Sequence, residues 1–455
     1  MLTFLSFLFF TQAFPPAPLP TTPQEIVQSH TVRPLPGKLD RVPVFNSNSP
    51  ELVLNEGILL STFPKQNKSH PNAHLNYSFE GRFDIFAHHV AKAPTPEDLR
   101  TLYLGILLHN PSQKTVTITT MQGASYLSQP DAPFIRLPSV LENRIGEVYA
   151  GPGSRVMSEI LRGKRQEQFP AQVAIPPGES YLMLNAPIPV KDLEPPLNGR
   201  STYLRLHSDG KVYGASLAMF APTDEAGRER KPTLAEWEEI LDSGSLVTPR
   251  DRPPAPPNNK TGGLIYGRVA GVSQGSQWQA TLTDSSDSQV LTIPESGKAF
   301  SYGISTLVGG TYGTKQIQSA PMLVRYPDTA YAAHGNYGVQ YSLNLPLINP
   351  TQETRNVTLS LQTPIKQDRL VGGIRFLEPH APQVFFRGTL GLSYENEQGE
   401  KQDRYFHLVQ HRGERGQPLV TLQLLPGQQR SIQVDLLYPP DATPPQVLTV
   451  STEEK

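Results

Sequence analysis

Short runs in which apolar residues alternate with other residues recur along the chain, and they predict β-strands. The run at 102–108 leads into Asn110-Pro111, and the run at 341–347 leads into Asn349-Pro350. Period-two alternation buries one face of a strand, and Asn-Pro starts a turn between strands. Both halves of the chain are therefore expected to be built from paired short strands.

The two halves share a second landmark in the same order, which indicates an internal repeat. Gly178, in a Pro-Pro-Gly turn, precedes one more alternating run, and Gly427, in a Pro-Gly turn, precedes another. We therefore expect Asn110 to occupy the same turn as Asn349, and Gly178 the same turn as Gly427. The alternative is that two unrelated proline-rich β domains share such turns.

Helical patterns are scarce. Thr233 and Glu236 have the spacing of a capping box, and they predict a helix that runs to about Leu241. A shorter helix is predicted from Met157 to Arg162. The fold predicted is all-β, with two successive immunoglobulin-like or related β-sandwich modules and one or two short helices.

Proline is abundant along the chain, at 46 of 455 residues. Proline lacks a backbone donor and works against long helices. The stretch PRDRPPAPPNNKTGG reads as a stiff linker. The predicted divisions are a signal peptide at 1–13, an extended segment at 14–50, a first module at 51–248, the linker at 249–263 and a second module at 264–455.

Charge and cysteine content exclude several classes of function. The chain has 40 basic and 41 acidic residues, which argues against nucleic-acid binding and against a polybasic membrane surface. Cysteine is absent, which excludes disulfides, thiolate metal sites, thiol nucleophiles and a lipidated cysteine.

The apolar run from Leu2 to Phe10 predicts a secretory signal peptide, with Thr11 and Ala13 at the cleavage site. The run is too short to span a bilayer as a helix. We therefore expect a periplasmic or extracellular protein with no integral membrane segment after cleavage. The alternatives are a true start upstream of Met1 or an uncleaved anchor, because no Lys or Arg precedes the run.

A polar cluster precedes the first repeat strand, and a comparable one precedes the second. The residues are Arg82, Asp84, His88 and His89 in the first half, and Arg325, Asp328 and His334 in the second. An Arg-Asp pair with a nearby His could pin the entry strand of each module. The same residues could instead form a polar ligand site at a module end.

The histidine spacings favour structural roles over metal binding. His88 and His89 are adjacent, so a strand would point them to opposite faces. The pairs His70/His74 and His407/His411 have helical ligand spacing but lie in no helical pattern. No metal and no other cofactor is predicted.

Four aromatic residues are candidates for stacking on sugar rings, with core packing as the alternative: Trp278, Tyr326, Tyr331 and Tyr337. The stretch 271–275 (GVSQG) matches the pattern of a nucleophile elbow, which requires a turn from a strand into a helix. Both of its flanks read as strand, so a hairpin turn is the interpretation.

Several long strings resemble an uncharacterised family of secreted cyanobacterial proteins that is named only as a domain of unknown function. They are 39–51 (LDRVPVFNSNSPE), 57–64 (GILLSTFP), 81–89 (GRFDIFAHH), 319–339 (SAPMLVRYPDTAYAAHGNYGV) and 438–450 (YPPDATPPQVLTV). The resemblance implies a cyanobacterial source and an envelope or extracellular setting. It supplies no activity and no functional residues.

The leading hypothesis is a non-catalytic envelope or extracellular protein with a structural or binding role toward a polysaccharide or another surface protein. The alternative is a secreted hydrolase that acts on a glycan, which requires two carboxylates in one cleft. A third hypothesis is a periplasmic metal-binding protein in which His88 or His89 converges with Asp84 or His334.

Overall fold

Strands account for most of the regular secondary structure in a computed structural model, which describes residues 22–257 and 263–454. Only two α-helices and one short 3₁₀ helix lie within these ranges. The prediction of an all-β fold with short helices is confirmed. The predicted signal peptide lies outside the described residues.

The strands up to the predicted linker are β1 (Gln24–Gln28), β2 (Thr31–Arg33), β3 (Pro43–Ser47), β4 (Leu52–Val53), β5 (Gly57–Ser61), β6 (Phe79–Lys92), β7 (Leu102–His109), β8 (Val116–Leu127), β9 (Val140–Glu142), β10 (Gln172–Ile175), β11 (Ser180–Ile188) and β12 (Leu197–Phe220). The helices are the 3₁₀ turn Pro71–Ala73, α1 (Pro152–Leu161) and α2 (Leu234–Ser243).

The strands after the linker are β13 (Ala270–Gln274), β14 (Gln277–Thr281), β15 (Leu291–Thr292), β16 (Ala299–Ile304), β17 (Ala320–Arg325), β18 (Ala332–Ala333), β19 (Gln340–Ile348), β20 (Arg355–Gln362), β21 (Ile374–Glu378), β22 (Val384–Glu395), β23 (Lys401–His411), β24 (Val420–Leu424), β25 (Gln429–Leu437) and β26 (Gln446–Thr452).

The long strand β12 organises the first half. Its residues 200–208 pair with β6 and β8, and its residues 213–220 pair with β7. The register shifts between Ser208 and Val212, where the strand passes from one layer to the other. A strand that switches layers at an irregularity is how sandwich corners are made. The first hydrophobic core lies between these layers and contains Phe83, Ile106 and Leu204.

The second half has two separate sheets around its own core. One sheet has the order β14-β19-β25-β22-β23-β9, and the other has the order β2-β16-β26-β20-β24. Their inward residues, among them Leu345, Leu359 and Val434, form the second hydrophobic core. The alternation seen in the sequence at 341–347 therefore reflects burial of one strand face.

The sheets do not follow the predicted boundary at 249–263. Strand β13 from beyond the linker pairs with β3, and β3 pairs with β6 of the first half. In the other direction, β1, β2 and β9 pair with β21, β16 and β23 of the second half. Residues 43–47, expected in an extended segment, thus form an interior strand, because their two edges find main-chain partners on both sides.

Helix α1 lies between the two halves. It contacts β8 and β12 on one side and β22 and β25 on the other. With Val44, Tyr203 and Leu437 it forms a small apolar cluster, which we call the junction core. A Cβ on Gly153 would lie 2.2 Å from the ring of Pro440. Any residue with a side chain at position 153 would clash with that ring, so the close approach of the helix to the second half requires glycine here.

The predicted repeat of turns is confirmed at the level of individual hydrogen bonds. The Asn110 amide donates to the carbonyls of Lys114, Ile175 and Pro176 at 2.7, 2.8 and 3.1 Å. The Asn349 amide donates to the corresponding carbonyls of the second half at 2.7, 2.9 and 3.2 Å. Both side chains are fully buried.

The glycine turns are equivalent as well. The Gly178 amide donates to the Asn110 carbonyl at 2.9 Å, and the Gly427 amide donates to the Asn349 carbonyl at 2.8 Å. The two glycines have φ of 72° and 70°. Each asparagine therefore joins the same two turns at the corner of its own half.

The predicted capping box of α2 is confirmed, since the Thr233 hydroxyl accepts from the Glu236 amide and the Glu236 carboxylate accepts from the Thr233 amide. Trp237 and Leu241 on this helix are buried against β5, β7 and β12. The predicted hairpin at 271–275 is wrong. Residues 271–274 lie within β13, and the strand that follows belongs to a different sheet, because β13 pairs with β3 whereas β14 pairs with β19.

We expect Asn110→Ala and Asn349→Ala to lower the free energy of unfolding by a similar amount, roughly 2–4 kcal/mol, because each leaves buried carbonyls without a donor. Urea unfolding followed by tryptophan fluorescence measures this. The only two tryptophans, Trp237 and Trp278, lie one in each half. As a control, the exposed Asn356→Ala should change it by less than about 0.5 kcal/mol. A severalfold difference between the two corner variants would contradict their equivalence.

Candidate functional site

The Arg82–Asp84 pair expected from the sequence forms on β6. Asp84 is fully buried and accepts from Arg82 Nη2 at 2.6 Å. The Tyr203 hydroxyl lies 2.7 Å from Asp84 Oδ2 and equally close to the carbonyl oxygen of Gly338 in the second half. Burial raises the pKa of Asp84, and the charges of Arg82 and Arg205 oppose that rise. The pair therefore ties the two halves together instead of facing a ligand.

His88 and His89 point to opposite faces of β6, as adjacent strand residues do. His89 Nδ1 lies 2.9 Å from the carbonyl oxygen of Pro50, and its Nε2 lies 2.8 Å from the Ser47 hydroxyl. Burial lowers the pKa of His89 to about 3, so the ring is neutral, donating to the carbonyl and accepting from the serine. Both ring nitrogens are thus occupied, and His89 is a structural residue. His88 instead faces Glu51, with Nε2 3.6 Å from a carboxylate oxygen.

The comparable pair in the second half does not form. Arg325 Nη1 donates to three backbone carbonyls of its own turn, the shortest at 2.6 Å to Thr329. Asp328 pairs with Arg250 at 3.0 Å. The expected second Arg-Asp pair is therefore wrong, because main-chain acceptors lie nearer to Arg325.

The four aromatic candidates for sugar stacking differ in their exposure. Trp278 and Tyr326 are buried, and each donates to a backbone carbonyl, at 2.8 and 2.7 Å. Tyr331 is exposed, with the Arg325 guanidinium 4.0 Å from its ring centre. Only Tyr337 lines the depression described next.

A cleft of about 580 Å³ lies where the two halves meet, and we call it the junction cleft. It is formed by segments of both halves that lie outside the repeated strands. The lining residues are Asn46, Asn48, Glu51, Asp251, Arg252, residues 265–269, Leu307, residues 333–337, Lys366, Thr443 and Pro444. The cleft contains His334 and Tyr337 from the sequence candidates.

Charges of both signs lie in one wall of the junction cleft. Arg268 forms an ion pair with Glu51, and its Nε lies 3.8 Å from Asp251. The Ser49 hydroxyl donates to Asp251 at 2.7 Å. Burial alone would raise the pKa of Glu51, but hydrogen bonds and charges from His88 and Arg268 together hold it below its ordinary value. These charges are therefore satisfied by one another.

Two half-buried tyrosines form aromatic surfaces of the junction cleft, and their hydroxyls fix them in place. The Tyr266 hydroxyl donates to a backbone carbonyl at 2.6 Å and accepts from Lys366 at 2.9 Å. Its ring centre lies 4.9 Å from that of His334. The Tyr337 hydroxyl donates to a backbone carbonyl at 3.0 Å, and its ring stacks on Tyr438 with an interplanar angle of 12°.

Buried polar atoms without a protein partner also occur in the walls of the junction cleft. They are Oδ1 of Asn46, Oδ1 of Asn48 and Nδ1 of His334. The two asparagines are only 3% exposed. Alternation along β3 places them on the same face as Val44, which packs into the junction core. Unsatisfied buried groups are costly, and three of those in the described residues line this cleft, which makes it a candidate binding site.

Glu51, a carboxylate that lines the junction cleft, does not have the character of a general acid. A glycosidase needs one carboxyl with a raised pKa as a general acid. Glu51 instead has a lowered pKa, and Arg268 contacts both Glu51 and Asp251. Ser273 of the elbow-like pattern is buried within β13, so it lacks the exposed turn that a nucleophile requires.

Comparison with known families now identifies the relatives of the chain. A family model described as "Protein of unknown function (DUF3370)" matches residues 30–452. The chain belongs to the DUF3370 family. The resemblance to a family of unknown function is thereby confirmed. A comparison with curated proteins finds no match.

Neither helix in the described ranges of this DUF3370 protein is long and apolar enough to cross a membrane. Those ranges contain one group of three or more side chains suited to hold a metal ion, His380 with His411 and Glu414. The group includes none of Asp84, His88, His89 and His334, so the structure does not bring the metal ligands of the third hypothesis together.

Sequence reasoning missed most residues of the junction cleft. Asn46 and Asn48 lay in a segment interpreted as extended, although the string VFNSNS alternates and places both on one strand face. Tyr266 and Arg268 lay in the segment before residue 271, which was predicted to be a strand. The junction cleft brings together segments that are separated by more than 200 residues along the chain, and no local sequence pattern predicts such a contact.

We expect the His89 ring to stay neutral in the folded protein at pH 5. Its folded pKa of about 3 lies below the value of about 6.5 in the unfolded chain, so the unfolded state binds more protons below pH 6.5. Stability from His89 is therefore complete above pH 6.5 and is lost as pH falls toward 3, by about 2 kcal/mol at pH 5.

Histidine ¹⁵N chemical shifts measured through an acid titration test the protonation state of His89. Urea unfolding at pH 7 and pH 5 tests the energy, and His89→Gln should reduce the difference between the two pH values. A native-state titration of this ring near pH 6.5 would contradict the assignment of a structural, neutral histidine.

Proposed function

We propose that this protein is a non-catalytic secreted or envelope protein that binds a neutral polysaccharide in the junction cleft. The observation that carries the proposal is the pair Asn46 and Asn48, whose buried side-chain oxygens accept no hydrogen bond from the protein. Amide groups offer both donors and acceptors, and a χ2 rotation exchanges the two. Hydroxyl groups of a sugar are matched to both.

The chemistry of the other walls supports a neutral, polyhydroxylated ligand. The lining carries the carboxylates Glu51 and Asp251 together with the basic residues Arg252, Arg268 and Lys366, so the cleft does not present one dominant charge. Tyr266 and Tyr337 offer aromatic surfaces on which the apolar face of a sugar ring can stack. A volume of about 580 Å³ falls within the range of about 300–1,000 Å³ typical of small-ligand sites.

The shape of the site favours a sugar chain over a surface protein as the partner. Stable protein interfaces bury about 800 Å² on each side and are largely continuous surfaces. The junction cleft is a concave site between two halves, with polar groups that point inward from several segments. Such a site fits one or a few sugar units.

The proposed location depends on the apolar run from Leu2 to Phe10 and the small residues after it. These features are typical of a secretory signal. Removal of a signal and export would expose the junction cleft to the polysaccharides of an envelope or of the medium.

We expect Asn46→Leu to weaken binding of soluble oligosaccharides by at least about tenfold, because a lost hydrogen bond to a buried group is worth roughly 1–3 kcal/mol. The free energy of unfolding should stay within about 1 kcal/mol of the wild type or rise, since the replaced oxygen has no protein partner. Isothermal titration calorimetry and urea unfolding measure the two effects. A large loss of stability would assign Asn46 a structural role and overturn the proposal.

A matched pair of tyrosine variants separates stacking in the cleft from stacking elsewhere. Tyr266→Ala should weaken oligosaccharide binding by roughly tenfold, whereas Tyr331→Ala, which removes an exposed tyrosine outside the lining, should leave it unchanged. Affinity electrophoresis in gels that contain a panel of neutral polysaccharides compares the two. Equal effects, or no retardation of the wild type in any gel, would refute binding at this cleft.

The proposed location has its own test. Fractionation of the source cell should find the protein outside the cytoplasm, and N-terminal sequencing of that protein should begin after Ala13. A protein confined to the cytoplasm with Met1 retained would contradict export.

A further inference from the structure

A cluster of three side chains at the end of β23 lies apart from the junction cleft. His411 is the last residue of β23, and Glu414 follows three positions later. The Glu414 amide donates to the His411 carbonyl at 3.1 Å and closes a tight turn. Gly413 has φ 77°, and a Cβ there would lie 2.6 Å from Leu377. Glycine thus allows the turn that places His411 and Glu414 side by side.

The third member of the cluster is His380, from the loop between β21 and β22. Its ring stacks on that of His411, with centroids 4.4 Å apart and planes at 15°. The Glu414 carboxylate accepts from His411 Nδ1 at 2.9 Å. Each of the three residues offers a ligand atom, and these atoms all lie within 4.8 Å of one another.

Main-chain hydrogen bonds hold the two loops together. The Ala381 amide donates to the Arg412 carbonyl at 3.0 Å, and the Leu377 amide donates to the Gly413 carbonyl at 2.9 Å. The Thr363 amide donates to the Glu414 carbonyl at 3.1 Å. Three main-chain hydrogen bonds therefore hold the backbone that carries the cluster. Because this backbone is ordered by folding, binding a ligand there costs less conformational entropy.

We propose that His380, His411 and Glu414 bind one zinc ion, which replaces the proton that His411 Nδ1 shares with the Glu414 carboxylate and releases it to water. Two imidazoles and one carboxylate are the donor set that zinc accepts, whereas calcium and magnesium prefer oxygen ligands alone. His380 Nδ1 lies 3.0 Å from the Ala381 carbonyl oxygen, and donation to it leaves the lone pair of Nε2 available for the metal. A backbone carbonyl is a usual partner for the second nitrogen of a metal-binding histidine.

Closing the site requires the three ligand atoms, which lie within 4.8 Å of one another, to approach more closely. Ligand atoms lie about 2.0–2.2 Å from a zinc ion, and so roughly 3.3 Å from one another in a tetrahedral site. Glu414 is 8% exposed and His411 is half-buried, whereas His380 is exposed. The exposed His380 ring is free to turn from its stacked position toward the ion, and water takes the fourth position. Without a metal, the Glu414 carboxylate accepts a hydrogen bond from His411, and the His380 ring stacks on that of His411.

Titration of the full chain, treated with a chelator and freed of any affinity tag, tests the proposal. We expect one zinc ion per chain by isothermal titration calorimetry, and a tetrahedral absorption spectrum when cobalt(II) replaces it. His380→Ala should weaken zinc binding by about 100-fold or more, beyond the range of about 10–100-fold typical of outer-shell partners. Zinc should raise the melting temperature of the wild type but not of this variant.

Two further variants make the outcome decisive. Glu414→Gln retains an oxygen that accepts from the His411 amide, so it should fold normally, yet it should weaken zinc binding because the charge is lost. His70→Ala removes another exposed histidine and should leave binding unchanged. Zinc binding that is absent, needs millimolar metal, or survives both His380→Ala and Glu414→Gln would overturn the proposal. None of these outcomes bears on sugar binding at the junction cleft.

Discussion

The candidate site depends on how the two halves are joined. Helix α1 packs between them, and each half contributes strands to the sheets of the other. Strands β3 and β13 continue a sheet of the first half, while β1, β2 and β9 complete sheets of the second. Separation of the halves would break main-chain hydrogen bonds at each of these pairings. The lining residues of the junction cleft, among them Asn46, Tyr266 and His334, are therefore fixed relative to one another before any ligand binds.

Some buried polar side chains of this protein are hydrogen-bonded within the protein, and others have a polar atom without a protein partner. His89 and Asn110 are buried with their side-chain polar atoms engaged by main-chain groups or a hydroxyl, which is what folding alone requires. The Oδ1 atoms of Asn46 and Asn48 are buried without a protein partner. Such atoms also occur away from the cleft, for example at Trp237 and His407. The two asparagines differ from those residues in that they line a cleft, where a ligand can complete their hydrogen bonding.

Prediction from the sequence succeeded where structure is local or repeated. The cap at Thr233 depends on residues within a few positions. The corners at Asn110 and Asn349 join turns that lie more than 60 residues apart, and they could be predicted because the same pair of turn motifs occurs in both halves. The exchange of strands could not be predicted, because alternation tells which face of a strand is buried but not which strand lies beside it. The Arg325–Asp328 pair failed for a related reason, since backbone carbonyls of the same turn compete for the guanidinium.

The repeated strands supply the scaffold, and the segments inserted between them supply the chemistry. In the first half, the chain between β8 and β10 forms β9 and α1, which build the junction. In the second half, the chain between β20 and β24 forms β21 to β23 and carries His380, His411 and Glu414. Binding residues are commonly carried by variable segments on a rigid framework. Because the corners at Asn110 and Asn349 close the framework independently of these insertions, each insertion is free to carry a different site.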